Sequence, residues 1–356
     1  MSELFREATP EERRLYYSKE WKPENIPEFI VDTLEHREFG FDHTGEGPSD
    51  RKNVFTDLRD LEDYIRATSP YAVYSSVALY TEPQEMEGWF GAELVFDIDA
   101  KDLPLRRCQD LHESGRVCPI CLEDAKELAL DTLVVLREDF GFEDIHVVYS
   151  GRGFHIRVLD DWVWELESKA REKILAYVSS AEEITPGDLQ SNRIMLSSGY
   201  FRVFRLRFGY FIRRVTENHL KNFGLSEKQI SDVLSSVQRI YRDFVAEAKS
   251  PLVAFPSSLR RPPSRSVKRS GLMILLNAST TFSKAYFDGK VTIDVKRILR
   301  LPSSLHSKAG FIATYIGTKE EKLRKFNPFE DAVPDFRREE VKGAYEEWLE
   351  EHGDRL

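Results

Sequence analysis

The stretch ELVFDIDA, residues 93–100, ends an apolar run with two aspartates. Its β-branched and aromatic residues favour a β-strand, in which side chains two positions apart lie on the same face. Asp97 and Asp99 are therefore expected side by side, about 6 to 7 Å apart along the strand. Carboxylates at this spacing can share or bracket divalent cations together with phosphate oxygens. The alternative is a solvated strand end. The pair alone therefore does not establish a metal site, and further ligands or phosphate-binding residues are needed beside it.

A second motif, SGRGFH at residues 150–155, lies between two short predicted strands at residues 145–149 and 154–159. Its glycine turn can direct Ser150, Arg152, His155 and backbone N–H groups at phosphate oxygens. A plain hairpin turn explains the glycines equally well.

A third cluster comes late in the chain. The run DGKVT, residues 288–292, supplies one more carboxylate, and Arg300, His306 and Lys308 follow within RILRLPSSLHSK at residues 297–308. Taken singly these residues indicate solvated charge. Together they form the set of side chains that a metal-bound triphosphate requires.

All three cysteines lie between positions 108 and 121, and a histidine lies among them. Cys108, His112, Cys118 and Cys121 form C-x3-H-x5-C-x2-C, four ligands that suit tetrahedral zinc. Because four protein ligands complete the coordination sphere, we expect a structural site. The alternative is three buried free thiols, which the polar neighbours of the motif disfavour. An odd cysteine count without a secretion signal argues against a disulfide framework.

The composition is that of a folded globular protein, with 356 residues, 41% of them hydrophobic, and a net charge of -10. Short apolar runs and a charged N-terminal segment lead us to expect a soluble, cytoplasmic protein without a membrane span. The acidic balance argues against nucleic-acid binding by bulk electrostatics. Two local segments could still bind a template: residues 200–214, with five arginines and no acidic residue, and residues 258–271, with four arginines and one lysine.

Hydrophobic periodicity predicts a mixed α and β first half. Helices are expected at residues 10–21, 57–66 and 123–140, and strands at residues 71–80 and 92–99. Residues 165–283 read as mostly helical, with the clearest helix over 226–248 and an exposed loop at Pro262 and Pro263. Residues 288–304 return to β character before a helical C-terminal segment.

In this order, LVFDIDA, SGRGFH, DGKVTID and RILRLPSSLHSK resemble the small catalytic subunit of archaeal and eukaryotic DNA primases. The resemblance spans nearly the whole chain, including HREFGF at residues 36–41. It implies an α+β fold: a mixed α/β primase catalytic core at residues 1–164 and 284–356, a zinc-binding insertion at 108–121, and a helical insertion subdomain at 165–283.

The resemblance also implies roles for the motif residues. Asp97, Asp99 and a third aspartate would hold catalytic Mg²⁺ or Mn²⁺, and Zn²⁺ would be structural. Asp288 is preferred as the third because the family has an aspartate three residues before a Val-Ser or Val-Thr pair, while Asp294 stays the alternative. The triphosphate contacts would be Ser150, Arg152, His155, His306 and Lys308, with Arg37 and Arg300 as further candidates.

The implied activity is primase, a nucleotidyltransferase of the DNA-directed RNA polymerase type. It would use a single-stranded DNA template and nucleoside triphosphates, act with a large primase subunit, and associate with the nucleoid. One rival function is a repair or gap-filling polymerase on the same core, which de novo dinucleotide synthesis would distinguish. Another is a non-catalytic, zinc-containing, single-strand-binding replication subunit, which leaves the carboxylates without a role.

Overall fold

A computed structural model describes residues 4–113, 115–182, 184, 198–247, 251–260 and 270–356. Helices and strands are mixed, as the sequence predicts. The strands are β1 (Phe39–Asp42), β2 (Asp50–Asn53), β3 (Ala72–Ser76), β4 (Ala78–Glu82), β5 (Glu87–Ala92), β6 (Leu94–Asp99), β7 (Ile145–Tyr149), β8 (Gly153–Val158), β9 (Ile298–Arg300) and β10 (Thr314–Gly317).

Nine of the helices are numbered: α1 (Pro10–Leu15), α2 (Leu58–Thr68), α3 (Pro119–Phe140), α4 (Ser168–Val178), α5 (Ser198–Arg214), α6 (Glu227–Leu234), α7 (Gly271–Ser283), α8 (Gly289–Ile293) and α9 (Arg338–His352). Further α-helical segments are Glu28–Val31, Glu217–Asn222, Val237–Ile240, Pro251–Ala254, Ser257–Arg260, Glu320–Lys325 and Pro328–Asp331. In the part of the chain described, no helix is both long enough and apolar enough to cross a membrane.

Two four-stranded antiparallel sheets carry the centre of the fold. The first has the order β2-β1-β3-β9, and the second has the order β10-β7-β8-β6. The hairpin of β4 and β5 forms a separate two-stranded sheet. The predicted strand at residues 71–80 is therefore divided at Val77, with its two halves in different sheets.

Alternation along β6 decides which way its aspartates point. Leu94, Phe96 and Ile98 lie in the large hydrophobic cluster with the buried residues of α3. Val95 belongs to a separate cluster with Val77, which follows β3, and Leu299 of β9. Because Asp97 and Asp99 share the face of Val95, they are directed toward the first sheet rather than into the helix-covered core.

The helical region after residue 165 packs on the same core. Val178 of α4, Phe208 of α5 and Leu275 of α7 belong to the hydrophobic cluster that also contains Phe96 of β6. The boundaries of a helical subdomain at 165–283 thus remain a prediction. The helix predicted over 226–248 is interrupted after α6, since a short helix at Val237–Ile240 and a π-helical turn at Tyr241–Ala246 follow. The predicted loop at Pro262 and Pro263 lies outside the described residues.

The arginine-rich segment at residues 200–214 is the helix α5, and it is not a free basic surface. Arg214 is buried and pairs with Asp124 at 2.9 Å. Arg207 is fully buried and donates to the Thr132 hydroxyl. Arg213 and Arg202 pair with acidic residues of α3. These side chains hold α5 against α3, so the prediction of a template-binding patch here is wrong. Most of the second basic segment, residues 261–269, lies outside the described residues.

The β character expected over residues 288–304 is only partly correct. The Asp288 side chain accepts a hydrogen bond from the Lys290 N–H and starts α8, and the strand β9 follows. Side-chain capping of this kind favours a helical turn over an extended chain. Val291 of α8 packs with Val95 and Leu299, which brings Asp288 to the end of β6.

Candidate active site and metal centre

Three aspartates meet at the end of β6. Asp97 pairs across the sheet with His155, and Asp99 pairs with Gly153. The Asp288 N–H donates to the Asp97 carbonyl oxygen at 3.0 Å, which places the start of α8 beside this strand. Asp294, at the other end of α8, forms an ion pair with Arg297 at 3.3 Å instead. Of the two candidates for the third carboxylate, the structure therefore brings Asp288 to the pair.

The electrostatics of this cluster favour a bound cation. Burial, followed by the neighbouring charges of Asp99 and Asp288, raises the pKa of Asp97 to about 8. Burial lowers the pKa of His155 to about 3, so its imidazole, 3.5 Å from Asp97, is neutral and offers no positive charge. Three hard oxygen donors that repel one another fit Mg²⁺ or Mn²⁺, whose charge relieves the repulsion.

Arg152 holds the second aspartate of the pair. Its Nε and Nη2 donate to the two carboxylate oxygens of Asp99 at 3.0 and 2.6 Å, a bidentate fork. The Lys101 N–H also donates to Asp99 at 3.0 Å. Asp99 is thereby fixed in orientation, and the guanidinium of Arg152 lies directly beside the carboxylate cluster.

The two glycines of SGRGFH are required because neighbouring atoms leave no room for a side chain at either position. Gly151 has φ 97°, and a Cβ there would lie 2.4 Å from Cβ of His306. A Cβ on Gly153 would lie 2.1 Å from the Ile98 carbonyl oxygen. Both distances are below any normal contact, so a side chain at either position would push the turn away from β6 or from His306. The turn thus brings Arg152 and His306 to one place.

The hydrogen bonds of His306 fix its ring in the tautomer that donates from Nε2. Its Nδ1 accepts the N–H groups of Lys308 and Ala309, both at 3.1 Å, so the ring proton belongs on Nε2. Burial, followed by the positive charges of Arg300 and Arg152, lowers the pKa of His306 well below its ordinary value. Lys308 is half exposed, and its Nζ lies 3.7 Å from carboxylates of Glu7 and Glu46. Such exposed pairs are weak and easily exchanged for a phosphate.

Arg300 connects the two sheets at this site. Its Nε donates to the Ser150 carbonyl oxygen at 3.0 Å, and its Nη1 donates to the Tyr74 hydroxyl at 3.1 Å. Tyr74 pairs directly with Arg300 across β3 and β9. Tyr74 was not among the residues singled out from the sequence, because an aromatic residue in a strand carries no signal beyond strand formation.

Arg37 is not brought to this cluster. Its guanidinium is completely buried, 2.7 Å from Glu93, and it donates to the Thr33 hydroxyl and the Ser76 carbonyl oxygen. Arg157 pairs with the same carboxylate at 2.6 Å. The guanidinium of Arg37 is already hydrogen-bonded to these partners. It therefore belongs to a buried structural ion pair and is not available to a ligand.

The four residues of the predicted zinc motif do converge. Their potential ligand atoms all lie within 4.8 Å of one another, so the cluster can hold a metal such as zinc. Sγ of Cys118 and Sγ of Cys121 are 3.7 Å apart, close to the spacing of about 3.8 Å expected for two thiolates on one tetrahedral zinc. Nδ1 of His112 lies 2.9 Å from the Glu113 carbonyl oxygen, which leaves Nε2 facing Cys121 as a ligand. Contrary to the expectation from the polar sequence, all three thiols are buried.

Known proteins that are similar to this chain share the segment that contains these motifs. A family model described as DNA primase small subunit matches residues 96–318, which contain the three aspartates, the glycine turn and the Cys/His cluster. The chain belongs to the DNA primase small subunit family. It is 68% identical over 356 residues to the DNA primase small subunit PriS of Thermococcus onnurineus, covering all of both chains.

More distant members of the DNA primase small subunit family are similar over nearly the same length. Identity is 60% to the protein of Pyrococcus furiosus, with 98% of each chain covered, and 41% to that of Methanothermobacter thermautotrophicus, with 94% of this chain and 98% of that one. Family membership confirms the prediction that the chain is a catalytic nucleotidyltransferase subunit. It argues against a non-catalytic single-strand-binding module.

Proposed function

We propose that this chain synthesises short primers on single-stranded DNA by template-directed, two-metal nucleotidyl transfer from nucleoside triphosphates, with release of pyrophosphate. The observation that carries the proposal is the meeting of Asp97, Asp99 and Asp288 with Arg152 and His306 at one end of β6. This end of β6 thus offers carboxylates for cations and, beside them, hydrogen-bond donors for phosphates.

The three aspartates would hold the catalytic Mg²⁺ or Mn²⁺. Ions held by these aspartates would supply a lowered pKa for the attacking 3′-hydroxyl and charge neutralisation for the triphosphate, so no side chain would have to act as a nucleophile. The protein orients these ligands in advance: Arg152 fixes Asp99 by its bidentate fork, and the Asp288 N–H to Asp97 hydrogen bond fixes α8 against β6.

The remaining groups would bind the triphosphate. His306 can donate from Nε2, and Lys308 and Arg152 supply positive charge for the phosphates and for the leaving pyrophosphate. Ser150 begins the turn that carries Arg152, and neutral His155 lies against Asp97 and can donate from the ring nitrogen that holds its proton. Arg300 supports the turn through the Ser150 carbonyl oxygen and adds positive potential.

The Cys/His cluster would bind one structural Zn²⁺. With four protein ligands and no open position, the ion would stabilise the loop and take no part in chemistry. Cys118 is also the residue that precedes α3, so the metal would fix the start of the longest helix in the core.

A larger partner subunit is part of the proposal, and the family name small subunit implies one. The chain has a net charge of -10, and arginines of α5 are paired with acidic residues of α3, so the described residues offer little means of binding a template backbone tightly. We place the contact with the partner in the helical region, residues 165–283, where Leu234 and Val253 are exposed. At the replication origin or fork this assembly would be associated with the nucleoid.

The test is primer synthesis on unprimed single-stranded DNA with labelled ribonucleotides and deoxyribonucleotides, with and without the large subunit. De novo dinucleotides and short primers are the expected products. Extension of a supplied primer without any de novo dinucleotide would instead identify a repair or gap-filling polymerase. The Asp97→Asn variant serves as the inactive control, because a contaminating polymerase would leave its signal unchanged.

A further inference from the structure

A cavity of about 350 Å³ lies beside Arg152, on the side of the Cys/His loop. Three cations and no acidic residue line it: Arg116 from the loop, Arg152 from the glycine turn and Lys308. The rest of its lining is apolar or small, and consists of Phe5, Gly115, Val117 and Ala309. Arg152 also pairs with Asp99, and Lys308 lies near Glu7 and Glu46. An anion that enters this space would therefore meet Arg116 as the cation without a carboxylate partner among the described residues.

Arg116 is the cation of this set whose side chain has no ion-pair partner among the described residues. Its side chain is exposed, and within the described ranges no carboxylate forms an ion pair with it. Its backbone is nevertheless held, because the buried Arg106 donates to the Arg116 carbonyl oxygen at 3.3 Å. Two residues later the chain enters the metal cluster at Cys118. The loop therefore presents a free guanidinium from an anchored backbone.

We propose that Arg116 binds the terminal phosphate of the incoming nucleoside triphosphate, so that the Cys/His loop forms one wall of the nucleotide site. The inference rests on the proposed function, in which the aspartates hold the metal ions and Arg152 and Lys308 bind the phosphates. Arg152 pairs with Asp99 and also lines the cavity that Arg116 lines, so a triphosphate that starts at the aspartates and passes Arg152 would reach this cavity. The terminal phosphate has three free oxygens, which suit the planar fork of a guanidinium.

The proposal makes Arg116 a sensor of phosphate number. A nucleoside diphosphate bound in the same position lacks the group that Arg116 contacts. Loss of Arg116 should therefore weaken binding of the triphosphate and leave binding of the diphosphate unchanged, whereas loss of Arg152 should weaken both.

The experiment measures equilibrium binding of ATP and ADP, with Mg²⁺ and without template, to the full-length wild type and to the Arg116→Ala and Arg116→Lys variants. Charge-assisted hydrogen bonds at an exposed site correspond to roughly a tenfold change in Kd, so Arg116→Ala should raise the Kd of ATP about tenfold. The Kd of ADP should stay the same, and Arg116→Lys should recover part of the loss. Arg59→Ala, an exposed arginine on α2 away from the site, is the matched control.

Two results would overturn the inference. Unchanged ATP binding in Arg116→Ala would show that the cavity does not receive the terminal phosphate, and equal weakening for ATP and ADP would place the contact elsewhere on the nucleotide. Zinc content and the unfolding midpoint equal to wild type exclude a collapsed loop. If wild-type chain neither primes nor binds ATP, the proposed function fails together with this inference; if wild type does both and Arg116→Ala is unaffected, only this inference fails.

Discussion

Replacing Asp97 by asparagine should stabilise the protein in the absence of Mg²⁺ or Mn²⁺ while abolishing synthesis. The folded chain holds a proton on Asp97 up to a pKa of about 8, whereas the ordinary value is 3.8. Between these values the folded state binds a proton that the unfolded state does not bind. The free energy of unfolding therefore falls as the pH rises, and this contribution of Asp97 is lost as the pH passes about 8.

The magnitude follows from that pKa difference. Each pH unit within the window corresponds to ~1.4 kcal/mol, which sets a ceiling of about 6 kcal/mol across the window. The side chain is 19% exposed. Water and small rearrangements reduce the cost of its charge, so we expect a gain of about 2 to 3 kcal/mol for Asp97→Asn at pH 8. At pH 5 the gain should fall to about a third of this, because only about 1.2 of the roughly 4.2 pH units between the unfolded and folded pKa values have then been passed.

Urea unfolding at pH 5 and pH 8, with zinc retained and no Mg²⁺ or Mn²⁺ added, measures this difference. Asp99→Asn should gain less, since it also loses the fork from Arg152, and the exposed Asp63→Asn on α2 is a neutral control. Added Mn²⁺ should stabilise wild type and close the gap to Asp97→Asn. Equal stability of wild type and Asp97→Asn at pH 8, or a gap that widens toward pH 5, would refute the reasoning.

Three further predictions concern the rest of the site. Asp288→Asn should abolish synthesis and Asp294→Asn should retain it; the reverse result in a primer-extension assay would show that the third carboxylate is misassigned. Lys308→Ala should raise the KM for nucleotide about tenfold with little change in template affinity, because a charge-assisted phosphate contact acts in the ground state as well. Steady-state kinetics at varied nucleotide and template concentrations separate the effect on nucleotide from the effect on template. Metal analysis should find about one zinc per chain, and Cys118→Ser should lose it together with local protection of the loop in hydrogen exchange, whereas retained zinc would contradict the ligand set.

The motifs of the site could be predicted from the sequence because each has a local physical signature. Two carboxylates at the end of a β-branched strand, and four soft ligands within 14 residues, are readable without tertiary information. The strands at residues 145–149 and 154–159 and the helix ending at Phe140 were also located to within a few residues. The hydrophobic residues of these elements recur with a clear period, and a glycine marks where the helix ends.

What could not be predicted depends on long-range packing. The arginines of α5 read as surface charge, yet Arg207 and Arg214 are buried because Thr132, Asp124 and the rest of α3 provide partners from a segment some 80 residues earlier. The burial of the cysteines likewise depends on distant chain, since all three belong to the hydrophobic cluster that also contains Phe211 of α5 and Trp348 of α9. Arg37 resembles a phosphate ligand by motif, but Glu93 is the partner that decides its place.

The hydrogen bond from Asp288 to Asp97 and the contact of Gly151 with His306 have a consequence for the newly made chain. The parts of the site are separated by about 200 positions, and the last of them, Lys308, leaves the ribosome long after β6. At about 5 to 20 residues per second the interval is roughly 10 to 40 seconds. Until residue 288 has been made the aspartates have no third carboxylate, and until residues 306–308 have been made part of the phosphate-binding set is missing, so a shorter translation product should not consume nucleotides. The site is therefore complete only in chains that have been translated beyond Lys308, and synthesis is expected only from these.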